Sequence, residues 1–351
     1  MNINKTIDKA LSRRNFLVGA GTTAATVAAA TLVAGCGNDN NNSGSSGGTT
    51  SYSDTDILNF ALNLEYLEAS FYLYAATGSG LAATDTTAGS ASGYSTVGTV
   101  TQGSAAKVAG TTTTQQQIIN EIAFEEQQHV KALRFLLGTK AVPMPNIDLS
   151  FFGPLATAAG ITGATFNPFA SFDAFLIGAF IFEDVGVTAY LGAAPLISAA
   201  GVSVGYLSDA AGILAVEAYH AAYIRTALTA NAVKAGATSP TSSAYPYPGI
   251  ANQVGALRAT LTVGNSGAPG SSNTGNSGAA GSSASVEVPL TVPTSATSIS
   301  SIVAADSKSA IAFGRTTNQV LHIVYGSATV GAKSGGFFPS GINSVFATTT
   351  A

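Results

Sequence analysis

The chain has 351 residues, of which 46% are hydrophobic and 9% are charged, and its formal net charge is −4. This composition argues against nucleic acid as a partner, because phosphate binding needs clustered Lys and Arg. The single cysteine, Cys36, excludes an internal disulfide and any metal module built from several cysteines of this chain. Any metal ligands must therefore be carboxylate oxygens and imidazole nitrogens.

Residues 1–36 have the organisation of an export signal rather than of a folded segment. Two lysines precede residues 12–17, S-R-R-N-F-L, which resemble the twin-arginine pattern S-R-R-x-F-L. The apolar run at 18–35 is long enough to span a bilayer, so a transmembrane helix is the alternative. Its Gly and Thr content favours a signal. We therefore predict export by the twin-arginine route.

The signal ends in L-V-A-G-C, which resembles a lipobox, with Cys36 at the position that would carry the lipid. Residues 37–53 are rich in Asn, Ser and Gly, as expected for a flexible tether. We predict a periplasmic or cell-envelope protein that is attached to the membrane by a lipid anchor at Cys36. Cleavage at a small-residue site followed by soluble secretion is the alternative.

Four segments of the remaining chain have helical character. Capping residues support their bounds, since Ser53 or Asp54 can cap the start of the first segment and Gly138 closes the second. Segments of twenty or more residues are typical of a four-helix bundle, so residues 54–236 predict an all-α domain of that type. The predicted helices cover 54–76, 114–137, 171–191 and 204–234.

The connections between these helices differ in composition. Residues 77–113 are dominated by Gly, Ser and Thr and are predicted to form a surface insertion. Residues 139–170 are long enough to cross the length of a bundle. Residues 237–351 are predicted to be a mostly irregular C-terminal extension, in which 286–292 and 320–325 alternate enough to form short strands.

Two Glu-x-x-His pairs mark the candidate chemistry. Glu126 and His129 lie on the second predicted helix, and Glu217 and His220 lie on the fourth. The i, i+3 spacing places both side chains of a pair on one helix face. Two such pairs, with one glutamate from each of two other helices, build a carboxylate-bridged site for two metal ions. Four carboxylates balance the charge of two divalent cations in an apolar interior.

An internal repeat selects the two remaining glutamates. Glu65 precedes Tyr72 by seven residues on the first helix, and Glu183 precedes Tyr190 by seven on the third. The two Glu-x-x-His pairs align in the same repeat, so every proposed ligand has a mate. The predicted metal ligands are Glu65, Glu126, His129, Glu183, Glu217 and His220.

Other candidates receive weaker support. Glu68 is the alternative to Glu65, but its mate in the repeat is Gly186. Glu121 and Glu125 also lack acidic mates, since theirs are Gly212 and Val216. These three glutamates are therefore predicted to lie next to the ligands without binding the metal, or at the surface. His322 has no acidic neighbour at ligand spacing and is predicted to be structural, within a short apolar strand.

Tyr72 and Tyr190 are the candidates for side chains that assist the site. Either hydroxyl could hydrogen-bond a ligand carboxylate or take part in redox chemistry. The simpler interpretation is a core aromatic side chain with a polar group. No catalytic residue is predicted beyond these two candidates.

The run from Asp54 to Lys234 resembles the ferritin-like superfamily, and within it the bacterial ferritin-like proteins related to plant desiccation-related proteins. Residues 62–72, L-N-L-E-Y-L-E-A-S-F-Y, carry the strongest likeness, and the tail at 313–326 carries a looser one. The resemblance implies a non-haem di-iron or di-manganese site. It implies no single activity, since members range from storage and peroxidase to oxidase and catalase.

Two functions follow as hypotheses. The first is an oxidoreductase in which two Fe or two Mn ions react with peroxide or oxygen. The second is a non-catalytic envelope or desiccation-stress protein that uses the bundle as a scaffold and binds metal for stability or sequestration. The oxygen and nitrogen donor set accepts both iron and manganese. A homo-oligomer is compatible with either hypothesis.

Overall fold

The computed structural model describes residues 52–161, 166–263, 286–295, 302–307 and 309–350. The predicted export signal, Cys36 and residues 37–51 of the predicted tether lie outside the described residues. The described residues contain a pair of two-residue strands, β1 (Val100–Thr101) and β2 (Ile147–Asp148). Their α-helices are α1 (Asp54–Thr77), α2 (Thr113–Leu137), α3 (Phe152–Ala158), α4 (Phe172–Ala193), α5 (Ala199–Ser203), α6 (Tyr206–Lys234), α7 (Tyr247–Val263) and α8 (Thr317–Val324).

Local capping sets the start of the bundle helices. At α1, the Ser53 side chain accepts from the Asp56 backbone N–H, and the Asp56 carboxylate accepts from the Ser53 N–H at 2.9 Å. At α2, Thr112 and Gln115 form the same reciprocal pair. Such capping boxes satisfy donors that the first helical turn leaves unpaired. Helix α1 ends at Gly78, whose φ of 78° lies in the left-handed region that glycine adopts without strain.

The four long helices α1, α2, α4 and α6 form the bundle. Helix α1 packs mainly against α2, and α4 packs mainly against α6. The connection from α2 to α4 carries β2, which pairs in parallel with β1 from the Gly/Ser/Thr-rich insertion. The insertion is therefore attached to the long connection. The all-α four-helix bundle predicted from the sequence is confirmed.

Helix α4 is the core helix of the molecule. It packs on α6, α7 and α8, and most of its residues are buried. The segment Phe172–Leu196 is long and apolar enough to cross a membrane by composition alone, but 94% of its apolar window is buried inside the protein. Its hydrophobicity is thus explained by packing on several sides.

The C-terminal extension differs from its prediction in two places. Residues 320–325, predicted as a strand, lie mostly within helix α8, which begins with a capping box between Thr316 and Gln319. Short apolar runs fit a strand and a buried helix equally well, which explains this error. His322 is fully buried on α8, and its Nδ1 lies 2.5 Å from the Ser327 carbonyl oxygen.

The other predicted strand, at 286–292, has no regular secondary structure. Pro289 and Pro293 interrupt any ladder there. The Asn252 side chain instead binds the backbone of Leu290, accepting from its N–H at 2.6 Å and donating to its carbonyl oxygen at 3.0 Å. Asn252 belongs to α7, a 17-residue helix that the sequence interpretation had assigned to irregular chain.

A buried ion-pair network connects this extension to the bundle. Asp184 on α4 receives two hydrogen bonds from Arg225 on α6, at 3.0 and 2.7 Å. Arg258 on α7 donates to both Asp184 and Glu287. Glu287 is also paired with Arg315, whose Nη1 donates to the Thr188 hydroxyl of α4. The network therefore joins three helices and two tail segments behind the bundle core.

Candidate metal centre

The structure brings all six predicted ligands together in the interior of the bundle. Glu65 comes from α1 and Glu183 from α4, while α2 and α6 each supply one Glu-x-x-His pair. The four glutamates are 0–1% exposed and the two histidines 5–7%. Groups this polar are rarely buried without compensation, so the cluster calls for a partner.

One half of the cluster surrounds His129. Its Nδ1 lies 3.3 Å from Glu65 Oε2, 3.4 Å from Glu126 Oε2 and 3.6 Å from Glu217 Oε1. The donor atoms of these four residues all lie within 4.8 Å of one another, as the ligands of one metal ion do. The first E-x-x-H pair thus combines with a glutamate from α1 and one from α6.

The other half surrounds His220. Its Nδ1 lies 3.2 Å from Glu126 Oε1 and 3.3 Å from Glu183 Oε2. The two oxygens of Glu126 therefore face different imidazoles, which is the position of a bridging carboxylate. The candidate centre thus consists of two adjoining donor sets that share Glu126.

Glu68 also belongs to this cluster, although the repeat argument had set it aside. It is 5% exposed, and it offers an oxygen within 4.8 Å of ligand atoms on Glu126, Glu183 and Glu217. Its mate Gly186 explains the asymmetry, because a Cβ at that position would lie 2.2 Å from Glu217 Oε2. Gly186 thus leaves room for the Glu217 carboxylate, whereas the equivalent position of the other repeat carries an additional carboxylate, Glu68.

The cluster is short of hydrogen-bond donors. Eleven buried side-chain N and O atoms of the described residues have no hydrogen-bond partner, and nine of them belong to this cluster. They come from Glu65, Glu68, Glu126, His129, Glu183, Glu217 and His220. Buried polar atoms are paired in nearly all native structures, so this concentration needs an explanation. Oxygen and imidazole donors that converge in this way fit divalent cations.

The electrostatics of the cluster agree with that fit. Burial raises the pKa of Glu65 to about 7 and holds the pKa values of Glu68 and Glu217 well above their usual range. Burial also opposes ionisation of Glu126, but the two nearby imidazoles of His129 and His220 outweigh it and lower the pKa of Glu126 to about 2. The raised pKa values of Glu65, Glu68 and Glu217 favour their protonated forms, and a bound cation would displace those protons.

Tyr72 and Tyr190 are connected to this cluster across the bundle. The Tyr72 hydroxyl on α1 donates to Glu183 Oε1 on α4, and the Tyr190 hydroxyl on α4 donates to Glu65 Oε1 on α1. Both rings are buried in the core. Each tyrosine therefore orients the glutamate of the opposite repeat, which leaves the other oxygen of that carboxylate facing an imidazole.

Glu125 lies at the edge of the cluster and was not among the predicted ligands. One of its oxygens lies 2.6 Å from His220 Nε2, the ring nitrogen that faces away from the other glutamates. Glu121, one turn earlier, lines the same cavity of about 280 Å³ between α2 and α6. Sequence reasoning set Glu125 aside because its mate is Val216, and only the packing of α2 against α6 reveals the contact.

Comparisons with known proteins agree with this architecture. A family model described as "Ferritin-like domain" matches residues 53–230. The chain is 33% identical over 180 residues to desiccation-related protein PCC13-62 of Craterostigma plantagineum, a match that covers 50% of this chain and 53% of that protein. The chain therefore spans about half the length of this relative.

A second relative matches over more of the chain. The ferritin-like catalase Nec2 of Nesocodon mauritianus is 27% identical over 297 residues, which cover 83% of this chain and 84% of that protein. No solved structure matches the chain at a comparable level of significance. The matches place the chain beside proteins described by desiccation and by catalase activity.

Proposed function

Because this chain belongs to the ferritin-like domain family, we propose that it binds two redox-active divalent cations, iron or manganese, and uses them to react with peroxide or oxygen. The observation that carries this proposal is the concentration of unpaired buried donor atoms at the centre of the bundle. A bundle without a cation there would bury several carboxylates at a high desolvation cost.

The proposed ligands divide between two metal positions. One would be held by Glu65 and His129, and the other by Glu183 and His220. Glu126 faces both imidazoles and is the proposed bridge. Glu217 and Glu68 supply further carboxylate oxygens beside the bridge. When bound, such a metal pair supplies one-electron redox changes and charge stabilisation for small oxidants.

The protein would contribute orientation and the exclusion of water. Tyr72 and Tyr190 hold one oxygen of each terminal glutamate by hydrogen bonds. The surrounding apolar side chains of α1 and α4, among them Leu64 and Phe182, are almost fully buried. A dry, preorganised site strengthens electrostatic interactions with the reacting groups.

Peroxide disproportionation, 2 H₂O₂ → 2 H₂O + O₂, is the reaction that we favour. It needs no external electron donor, and the relative described as a catalase matches 83% of this chain. The alternative is a stress protein whose bundle uses metal only for stability, in line with the desiccation-related relative. We further propose export by the twin-arginine route, lipid attachment at Cys36 and a place in the periplasm or cell envelope, supported by the pattern of residues 12–36.

Elemental analysis tests the metal centre directly. The chain, exported through its own signal, is purified and its iron and manganese contents are measured beside those of Glu126→Ala. We expect about two metal ions per wild-type chain and an almost complete loss in the variant, because Glu126 faces both positions. Glu121→Ala, which removes an exposed glutamate five residues earlier on the same helix, is the matched control and should retain both ions.

The loaded protein is then assayed for oxygen release from hydrogen peroxide. Activity that follows metal content across the three proteins would support the catalase proposal. A metal-loaded but inactive wild-type protein would support the stability role instead. A folded wild-type chain that cannot be loaded with either metal would refute both proposals.

A further inference from the structure

The geometry points to two inequivalent metal positions, in which the one beside Glu183 and His220 binds its cation more tightly because Glu125 fixes the His220 imidazole. The position beside Glu65 and His129 is then the exchangeable one. This inference rests on the proposed function and deepens it, because it says which of the two positions exchanges its cation more readily. It assigns Glu125 as a positioning residue.

The first observation is the contact between Glu125 and His220. The Glu125 carboxylate oxygen lies 2.6 Å from Nε2, so a proton on that nitrogen is donated to it. Nδ1, the atom that faces Glu126 and Glu183, is then the ring nitrogen that can ligate a cation. A histidine that donates its second N–H to a carboxylate has a fixed ring orientation and a more basic ligand nitrogen.

The second observation is that the repeat does not reproduce this contact for His129. The mate of Glu125 is Val216, whose side chain offers no acceptor. Each of the ion pairs described for His129 is made through Nδ1, on the side of the glutamates. Both histidines face Glu126 and one terminal glutamate through Nδ1, and His129 also faces Glu217. On the Nε2 side they differ, because Glu125 contacts that nitrogen of His220.

The third observation concerns access. His129 and Val216 line a cavity of about 450 Å³, together with Phe135 and Asp209. The cavity next to His220 is smaller, about 280 Å³, and both His220 and Glu125 line it. His129, which lacks a contact like that of Glu125 with His220, is thus the histidine beside the larger cavity. Both features favour exchange of the cation at the His129 position.

A cobalt titration tests the inference on the full chain. The purified protein is stripped with a chelator and titrated with Co²⁺ against a chromophoric competitor, which gives stoichiometry and affinity without an activity assay. We expect two resolved steps in the wild-type protein. Glu125→Ala should weaken the tighter step about 10- to 100-fold, the usual effect of removing such a carboxylate, and leave the weaker step unchanged.

Two further variants separate positioning from a general structural effect. Glu125→Gln keeps an acceptor oxygen, so it should recover most of the lost affinity. Glu121→Ala removes an acid from the same cavity and should bind as the wild type does. The melting temperatures of the stripped proteins are compared to confirm that all variants fold. A loss of affinity at both steps in Glu125→Ala, or at neither, would overturn the role of Glu125.

Anomalous scattering from crystals equilibrated with one Co²⁺ per chain locates the tighter position. Cobalt beside Glu183 and His220 is the expected result, and cobalt beside His129, or equally at both positions, would overturn the inequivalence. Two equal binding steps in the titration would refute this inference while leaving the proposed centre intact. A wild-type chain that binds no cobalt would refute the proposed function together with it.

Discussion

Two neighbouring carboxylates on α4 have opposite surroundings. Glu183 is fully buried, and its Oε2 has no hydrogen-bond partner, although Oε1 accepts from Tyr72. Asp184 is 5% exposed, and both of its oxygens accept from Arg225. The contrast teaches that burial alone does not identify a functional carboxylate. What separates the two is whether the protein itself supplies the partner.

The same contrast extends to the regions around them. Behind α4, three arginines form ion pairs with Asp184 and Glu287. The guanidinium groups of Arg225 and Arg258 lie 5.1 and 4.8 Å from the centre of the Phe180 ring. In front of α4, five glutamates face two histidines. The protein itself pairs the carboxylates of the rear region, whereas nine buried donor atoms of the front region have no hydrogen-bond partner. Amide substitutions should therefore have opposite effects in the two regions.

The largest effect on folding stability is expected for Asp184→Asn. The amide keeps the shape of the side chain but removes the charge that neutralises Arg225 and Arg258. Breaking a buried ion pair from one side costs about 3–5 kcal/mol in the free energy of unfolding. Urea unfolding of the metal-free protein measures it. Arg315 and Glu287 are further from Asp184 and should keep their contact in the variant.

Glu121→Gln is the matched control for this prediction. Glu121 is exposed on α2, and the same carboxylate-to-amide change there should alter the unfolding free energy by less than about 0.5 kcal/mol. If Asp184→Asn behaved like this control, the network would contribute little to the attachment of the C-terminal extension.

The opposite sign is expected for Glu217→Gln in the metal-free protein. Glu217 is fully buried, both of its oxygens lack a hydrogen-bond partner, and burial holds its pKa well above the usual range. Folding at neutral pH must either protonate this carboxylate or bury its charge, a cost of about 1–3 kcal/mol that the neutral amide avoids, so the variant should unfold at higher urea. In the metal-loaded protein, the order of stability should reverse, because the wild type gains more from the cation.

Urea unfolding of the wild type and of Glu217→Gln is repeated after loading with Mn²⁺, which gives the stability of the metal-loaded proteins. A metal-free Glu217→Gln protein that is less stable than the wild type would indicate that Glu217 has a structural partner. Equal stabilisation of both proteins by Mn²⁺ would remove Glu217 from the proposed ligand set.

The parts of the site that could be predicted were those encoded by short spacing. The i, i+3 pairs ending in His129 and His220 define one face of a helix without any tertiary information. The repeat then selected Glu65 and Glu183, which the structure brings to the same cluster. The same symmetry argument set Glu68 aside. Its mate Gly186 is small because the Glu217 carboxylate occupies the space there, and a sequence repeat does not encode that exchange.

The parts that could not be predicted depend on distant partners. Arg258 and Glu287 lie on segments that were interpreted as irregular, and their pairing follows from the packing of α7 on α4. The first turn of helix α7 contains Pro248 and Gly249, residues that usually indicate a turn, although proline is well tolerated in a first helical turn. Helix α8 was misread because its apolar run is too short for its period to be decided.

The smallest effect is expected for Tyr72→Phe and Tyr190→Phe, which test whether the two halves of the front region are equivalent. Each variant removes one hydrogen bond to a terminal glutamate and keeps the buried ring. A net loss of about 1 kcal/mol in unfolding free energy is expected for each, with Tyr219→Phe, an exposed position on α6, as the control. Near-equal losses would mean that the repeat symmetry holds at the tyrosines and is broken only at Glu68 and Glu125. Clearly unequal losses of unfolding free energy would mean that the hydrogen bonds to Glu65 and Glu183 differ in strength. The two donor sets would then also differ at their terminal glutamates.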